Sequence, residues 1–408
     1  MTDTNNAGGA KPDRPALLRD RSFVRLWSVG ALIMAMRWFE ILATSVFTFS
    51  VTQSALAVAL VNLARAAPNL LFGAFTGALA DRFDRRRLLL TGEIMLVAVT
   101  SMLFFLAAID VISPWHIAIG AFLNGIVFTM EFPVRRNMMG DIAGIDRIGK
   151  AMGLDLTANN ATRIVGPALG GLVLETIGIA GVYALATFCY ALCAILVFGV
   201  ISPLRPVATI SQGLFAHVID GLRYVRGQRA LVGFMLITVI MNIWGLPYVA
   251  MVPVIGAEEL NVSAFPIGLL LSSEGVGALL GSLVAAAYAK PIHFRKIYLY
   301  GSILLIGAVI AFSQSGNYTL SLVFTFAAGL GIAGFTTMQA TLSYVEADPA
   351  MRARVMGVLA VCIGSGPIGM LHLGLLANWL DAPTALAVMG AEGLVAIAVI
   401  MWIWKEVR

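Results

Sequence analysis

Apolar stretches of 19 to 28 residues alternate with short polar turns along nearly the whole chain. Twelve of them stand out, at 23–50, 55–80, 88–109, 113–133, 151–175, 179–202, 230–256, 263–289, 295–313, 318–344, 354–379 and 383–404. Each is long enough, at about 1.5 Å per helical residue, to cross a hydrocarbon layer about 30 Å thick. The sharpest break is GALADRFDRRR at Gly77–Arg87, with four arginines and two aspartates in eleven residues between two apolar runs. Charge at that density cannot stay in hydrocarbon, so the chain surfaces there. The turn is too short to let its two flanking helices separate.

The positive charge is placed as a polytopic membrane protein requires. Twenty-four of the 27 Lys and Arg fall in the N-terminal tail, in alternate turns and at the C-terminus, while the intervening turns carry none. This bias predicts both termini on the cytoplasmic side. The chain is 59% apolar and only 12% charged, about half the charge of an ordinary soluble domain. Its mean hydropathy is +0.90. The first twenty residues are polar without an apolar core, and read as a cytoplasmic tail, not a signal peptide. Net charge is +5, but the basic residues form no patch interleaved with aromatics, so nucleic acid is not an expected partner. Cys189, Cys193 and Cys362 lie inside apolar runs without paired spacing to histidine, which predicts neither a disulfide framework nor a metal site. No cofactor is expected.

The chain also repeats itself. GAFTG at 73–77 returns as GALLG at 277–281, KAMG at 150–153 as RVMG at 354–357, and Gly166-Pro167 as Gly366-Pro367. The offsets are 204, 204 and 200 residues, and the difference of four is about one helical turn. The fold class predicted is therefore all-α integral membrane, with twelve transmembrane helices in two six-helix pseudo-symmetric halves. The division expected is a tail at 1–22, bundles at 23–202 and 230–408, and a cytoplasmic linker at 203–229. GLFAHVIDGLRYVRGQRAL in that linker has the spacing of an interfacial amphipathic helix.

GxxxDRxxRR after the second span, matched by Gly77, Asp81, Arg82, Arg85 and Arg86, resembles the signature of the major facilitator superfamily. Asp84 stands where that signature usually has glycine, and the equivalent turn of the second half keeps Gly281 without the Asp-Arg pair. RIVGPALGG resembles the antiporter motif GxxxGPxxGG through Gly166, Pro167, Gly170 and Gly171, with Thr162 replacing its first glycine. These phrases, with RARVMGV and GPIGM, resemble the drug:proton antiporter branch that includes enterobactin and macrolide exporters. The resemblance implies a conformational latch: Asp81 near the amino end of the eleventh helix, with Arg82 and Arg85 paired to acids such as Asp141 or Asp155. The alternative is plain topological charge. The small residues of the fifth and eighth spans permit close helix approach, and Pro167 bends the fifth.

Ionisable residues deep in the spans are candidates for function, since each costs a few kcal/mol. Arg37 lies about 18 Å along its helix from Arg25, and Glu40 follows at i+3, placed to pair with it. Arg163 and Glu274 are also mid-span, and Arg65 lies outward of centre. Arginine keeps its proton and acts as a fixed anion-binding or acid-pairing group, whereas a buried glutamate can take one up. Glu40 or Glu274 is thus the expected proton carrier, with Arg37 and Arg163 holding polar or anionic substrate groups. The competing expectation is structural pairing, Arg37 with Glu40 and Arg163 with Asn159. Glu93 and Asp155 are read as latch or cap residues, Glu131 and Glu175 as snorkelling, and Glu392 and His372 as poor candidates. Trp244 is an aromatic candidate for an apolar pocket.

The function predicted is proton-coupled efflux of an amphipathic small molecule, a siderophore or drug, by alternating access in a bacterial inner membrane. The expected partners are that substrate, protons and the lipid bilayer, with the chain a monomer. The alternatives are an uptake symporter or uniporter for an anionic metabolite, and a membrane sensor without flux. No nucleophile elbow, phosphate loop or metal cluster speaks for an enzyme.

Overall fold

In a computed structural model, residues 17–201 and 214–407 are described, with the side chains of 74–82 and 214–218 left out. Helix is the only regular structure among them, and eleven stretches are long and apolar enough to span a membrane. One stretch, Ile148–Phe198, has 51 residues, about 76 Å of helix and far more than one crossing needs. It turns back at Gly178, where φ 78° and ψ −174° are open only to glycine. Twelve crossings result: α1 (Arg21–Thr52), α2 (Ala55–Arg82), α3 (Arg85–Ala108), α4 (Pro114–Ala143), α5 (148–177) and α6 (179–198), then α7 (Arg229–Ala250), α8 (Ala264–Tyr288), α9 (Phe294–Ser313), α10 (Tyr318–Val345), α11 (Arg352–Trp379) and α12 (Ala382–Ile403).

Local chemistry starts and reverses these helices. Asp20, Asp84, Asn317 and Asp381 accept hydrogen bonds from the first free amides of α1, α3, α10 and α12. The turns on the face away from the termini reverse through left-handed Gln53, Asp110 and Asn261. Two helices are broken in mid-span. α7 passes through a π-turn at Met241–Gly245 and a 3₁₀ turn at Pro247–Ala250, and α11 is interrupted before Gly366-Pro367. Such breaks are tolerated at depth where they are buried in protein or line a cavity.

Each half has its own core. One apolar cluster joins α1, α3, α4, α5 and α6 through Phe23, Leu96, Met139 and Tyr183, and a second is centred on α7 to α12 through Tyr298, Leu305 and Phe335. The linker helix Leu214–Arg226 packs Gly221 against the Arg354 carbonyl of α11.

The halves meet along two helix pairs at the face away from the termini. In the α5–α8 seam, a Cβ at Gly171 would lie 2.3 Å from the Ala264 oxygen, and one at Gly268 would lie 2.5 Å from that of Pro167. In the α2–α11 seam Gly374 rides on Ala59. At the termini-bearing face the glycine-bearing sides of α5 and α11 are open: a Cβ at Gly149, Gly153 or Gly357 would meet no atom within 4 Å. The GxxxG motifs therefore divide their work. Gly166 and Gly170 seat α1 on α5, Gly171 and Gly268 close the seam between halves, and Gly277 and Gly281 pack α8 on α10 inside the second half.

Candidate functional site

Two polar clusters are held at depth, one on the seam and one within the first half. On the seam, the Arg163 guanidinium of α5 donates to Glu274 Oε1 of α8. Glu274 is 1% exposed and Arg163 20%. The guanidinium also lies 4.8 Å over the Trp38 ring of α1. Beside the pair, Ser272 Oγ donates to the Ile164 carbonyl at 2.5 Å. At the rim of the seam, Glu175 accepts from the Phe265 amide at 2.9 Å. The buried Tyr248 hydroxyl of α7 faces Glu274, though neither it nor the second Glu274 oxygen makes a hydrogen bond of full geometry. Asn159 does not join the pair expected of it: its side chain is half-buried one turn before Arg163, and its carbonyl accepts from Thr162.

Within the first half, Glu40 takes a different partner from the one its spacing predicts. Its Oε2 accepts from Arg65 Nη1 of α2 at 3.2 Å and from Asn124 Nδ2 of α4 at 3.3 Å. Its Oε1 accepts from the Tyr190 hydroxyl of α6 at 2.8 Å. Four helices thus converge on one carboxylate, all of it buried. Arg37 instead stacks 3.8 Å over Phe128 and leaves Nη1 without a partner. The i+3 spacing puts both residues on one side of α1, but the tertiary neighbours decide which cation Glu40 meets.

A third cluster lies nearer the termini-bearing face. Arg135, 1% exposed, donates to Glu131 Oε1 at 2.5 Å and to Asp155 Oδ1 at 2.6 Å, and Arg136 donates to Asp155 Oδ2 at 2.7 Å. Gly30 makes room for the Arg135 guanidinium, which a Cβ there would meet at 2.2 Å. Glu131 is therefore buried and paired, where a snorkelling residue was expected. Asp155 serves Arg135 and Arg136, so of the two expected latch acids it is Asp141 that meets Arg85, at 3.0 Å. Arg86 donates to the Phe198 carbonyl. The side chains of Asp81 and Arg82 and the surroundings of Gly77 lie outside what is described.

In the second half, Glu392 of α12 accepts from Trp244 Nε1 at 2.9 Å and lies 2.8 Å from His372 Nε2. Sequence reasoning set aside Glu392 and His372, and gave Trp244 a role in an apolar pocket. The three instead form a polar cluster where the π-turn of α7 faces α11 and α12. The π-turn leaves no periodic sign in the sequence, but a Glu, a His and a Trp, all deep in spans of the same half, are a signal that could have been read.

Comparison with known proteins agrees with this architecture. Residues 14–407 match the family described as transmembrane secretion effector. The staphyloferrin A transporter of Staphylococcus aureus is 21% identical over 392 residues, covering 94% of this chain and 96% of that protein. Macrolide efflux protein A of Streptococcus pyogenes is 20% identical over 393 residues, covering 95% and 96%. The crystal structure of the nucleoside transporter NupG superimposes with a TM-score of 0.72 at 15% identity, covering 94% of this chain and 99% of that one. That likeness is one of fold.

Proposed function

The chain belongs to the transmembrane secretion effector family, a branch of major facilitator transporters, and from that premise we propose that it exports an amphipathic small molecule in exchange for protons. The membership makes it a multi-pass membrane transporter and not an enzyme. The relatives' names, a staphyloferrin A transporter and a macrolide efflux protein, support a siderophore or a macrolide-like drug as the cargo. The single observation that carries the reading is the Arg163–Glu274 pair, because it bridges the halves where they must separate.

In this reading the charge rule puts both termini in the cytoplasm of a bacterial inner membrane. The sealed face is then the outer one, and the conformation is open to the cell interior. The two bundles, joined by the 203–229 linker, rock about the seam as a monomer. In the inward-open state Glu274 is ionised and holds Arg163. In the outward-open state, where the pair is broken, a proton from outside neutralises the Glu274 carboxyl, and its release to the cell interior after the return restores the pair. Glu40 with Arg65 forms a second charge pair that stiffens the first half. Arg85–Asp141 braces α3 against α4 within the first half in this inward-open conformation, in the same motif as the Asp81 that would reach α11 when the cytoplasmic side closes.

The test is transport of a macrolide and of a carboxylate siderophore in vesicles with an imposed pH gradient. Gradient-driven movement out of the cytoplasmic compartment, reduced at least tenfold in Glu274→Gln, is expected. Movement that ignores the gradient in both wild type and variant sinks the coupling, and net inward movement favours a symporter.

A further inference from the structure

Glu93 of α3 is fully buried, and neither of its carboxyl oxygens has a hydrogen-bond partner. Its surroundings are charged, so the group is not simply misplaced in an apolar core. Glu131 and Arg135 of α4 act on it electrostatically, and Cys193 of α6 lies within the same field. Glu131 has one oxygen committed to Arg135 and the other without a partner.

Charge counting decides the state of Glu93. Arg135 and Arg136 are matched by Glu131 and Asp155, and Arg37, the other cation beside Glu131, is held over the Phe128 ring, so no cation pairs with Glu93. An ionised carboxylate without a partner at this depth would cost several kcal/mol. A proton removes that cost.

The cluster also has a route to solution. Arg135 joins Glu131 to Asp155, which also holds Arg136, 32% exposed at the termini-bearing face. The guanidiniums keep their protons, so this polar path admits water to the cluster and does not itself relay the proton. A void of about 10 Å³ between α3 and α4, bounded by Gly92, Val127, Met130, Glu131 and Val134, is close to the size of a single water. On the inward side a tight crevice lined by Arg37, Asn124, Glu131 and Tyr190 brings Glu131 up to the Glu40 cluster.

We propose that Glu93 is a further proton-carrying carboxyl of this transporter, set inside the first half and away from the seam, and that it exchanges its proton with the termini-bearing face through Glu131. Proton uptake makes Glu93 a neutral acid, and release passes the proton to the oxygen of Glu131 that has no hydrogen-bond partner. The proposal rests on the proton-coupled reading above but concerns a different residue.

The experiment is infrared spectroscopy of the purified full chain in lipid, in H₂O and D₂O, across a pH series. Wild type is expected to show a carboxylic C=O band that shifts in D₂O and declines as pH rises. Loss of that band in Glu93→Gln supports the assignment. Should Glu93→Gln fail to fold, Glu131→Gln serves, since removing the neighbouring charge must displace the band's titration midpoint. A band equally strong in Glu93→Gln, one unmoved by D₂O and pH, or a titration unaltered in Glu131→Gln would each overturn the proposal. Gradient-independent cargo flux would remove the coupling reading while leaving a titrating Glu93 in place. A silent Glu93 would leave Glu274 and Glu40 as the coupling candidates.

Discussion

Arg163 and Glu274 form an ion pair across the two halves of the molecule, the first on α5 and the second on α8, 111 residues apart in sequence. Seven residues before Glu274, Ile267 begins a tightly packed stretch in which Gly268 meets the Pro167 carbonyl. The pair is therefore the inner end of the seam that closes the face away from the termini. Any motion that opens that face must break it.

Reversing this pair tests its part in the conformational balance. Removing one partner of a buried ion pair costs about 3–5 kcal/mol, and the 20% exposure of Arg163 places this pair near the lower end. Glu274→Gln is expected to expose an engineered cysteine at the sealed end of α5 to a membrane-impermeant thiol reagent. The double exchange Arg163→Glu with Glu274→Arg should restore protection in part, and no recovery would argue against direct pairing.

The Glu40 cluster predicts an order of severity. Glu40→Gln leaves Arg65 buried beside a neutral amide, at a cost of about 3 kcal/mol or more. Tyr190→Phe removes one donor from the same carboxylate and costs about 1–3 kcal/mol. Thermal unfolding in detergent should place Glu40→Gln well below Tyr190→Phe, and the reverse order would contradict the arrangement.

Two glycines with equally open surroundings should respond in opposite directions. Neither Gly153 nor Gly178 would bring a Cβ within 4 Å of any atom outside its own turn. Gly153 is ordinary helix, so Gly153→Ala is expected to stabilise by about 0.5–1 kcal/mol. Gly178 sits at φ 78°, and Gly178→Ala should destabilise by about 1–3 kcal/mol. The melting temperatures of the two variants should fall on opposite sides of wild type.

Asp381 at the start of α12 provides a pH-dependent term. The backbone N–H and hydroxyl of Thr384 donate to it and hold its carboxyl below the usual aspartate range. A lowered carboxyl contributes stability that is complete above about pH 4 and is lost as pH falls through its folded value. Asp381→Ala should therefore cost about 1 kcal/mol at neutral pH and less in acid, read as a melting difference that narrows as pH is lowered.

Much of the fold was legible in the chain because its main rule is local. A residue in hydrocarbon must be apolar and its backbone bonded within its own helix, so run length and charge placement mark each crossing before any contact is known. The α5–α6 reversal shows the limit of that rule. Only Glu175 and Thr176 mark it, enough to divide 151–175 from 179–202, but that the turn itself is made by a single glycine with positive φ is visible only in the structure.

The depth of Arg37, Glu40, Arg163 and Glu274 was likewise readable from spacing alone, since rise per residue is fixed. Their partners were not. Glu40 meets Arg65, Asn124 and Tyr190, and Arg163 meets Glu274, because helix rotation and crossing bring together groups up to 150 residues apart. Periodicity along one helix carries no information about which face of another it meets. The sequence by itself determined how many times the chain crosses, which turns carry the charge and how deep each ionisable group lies. Only the tertiary structure decided which charges neutralise one another, and which, like the carboxyl of Glu93, are left without a hydrogen-bond partner.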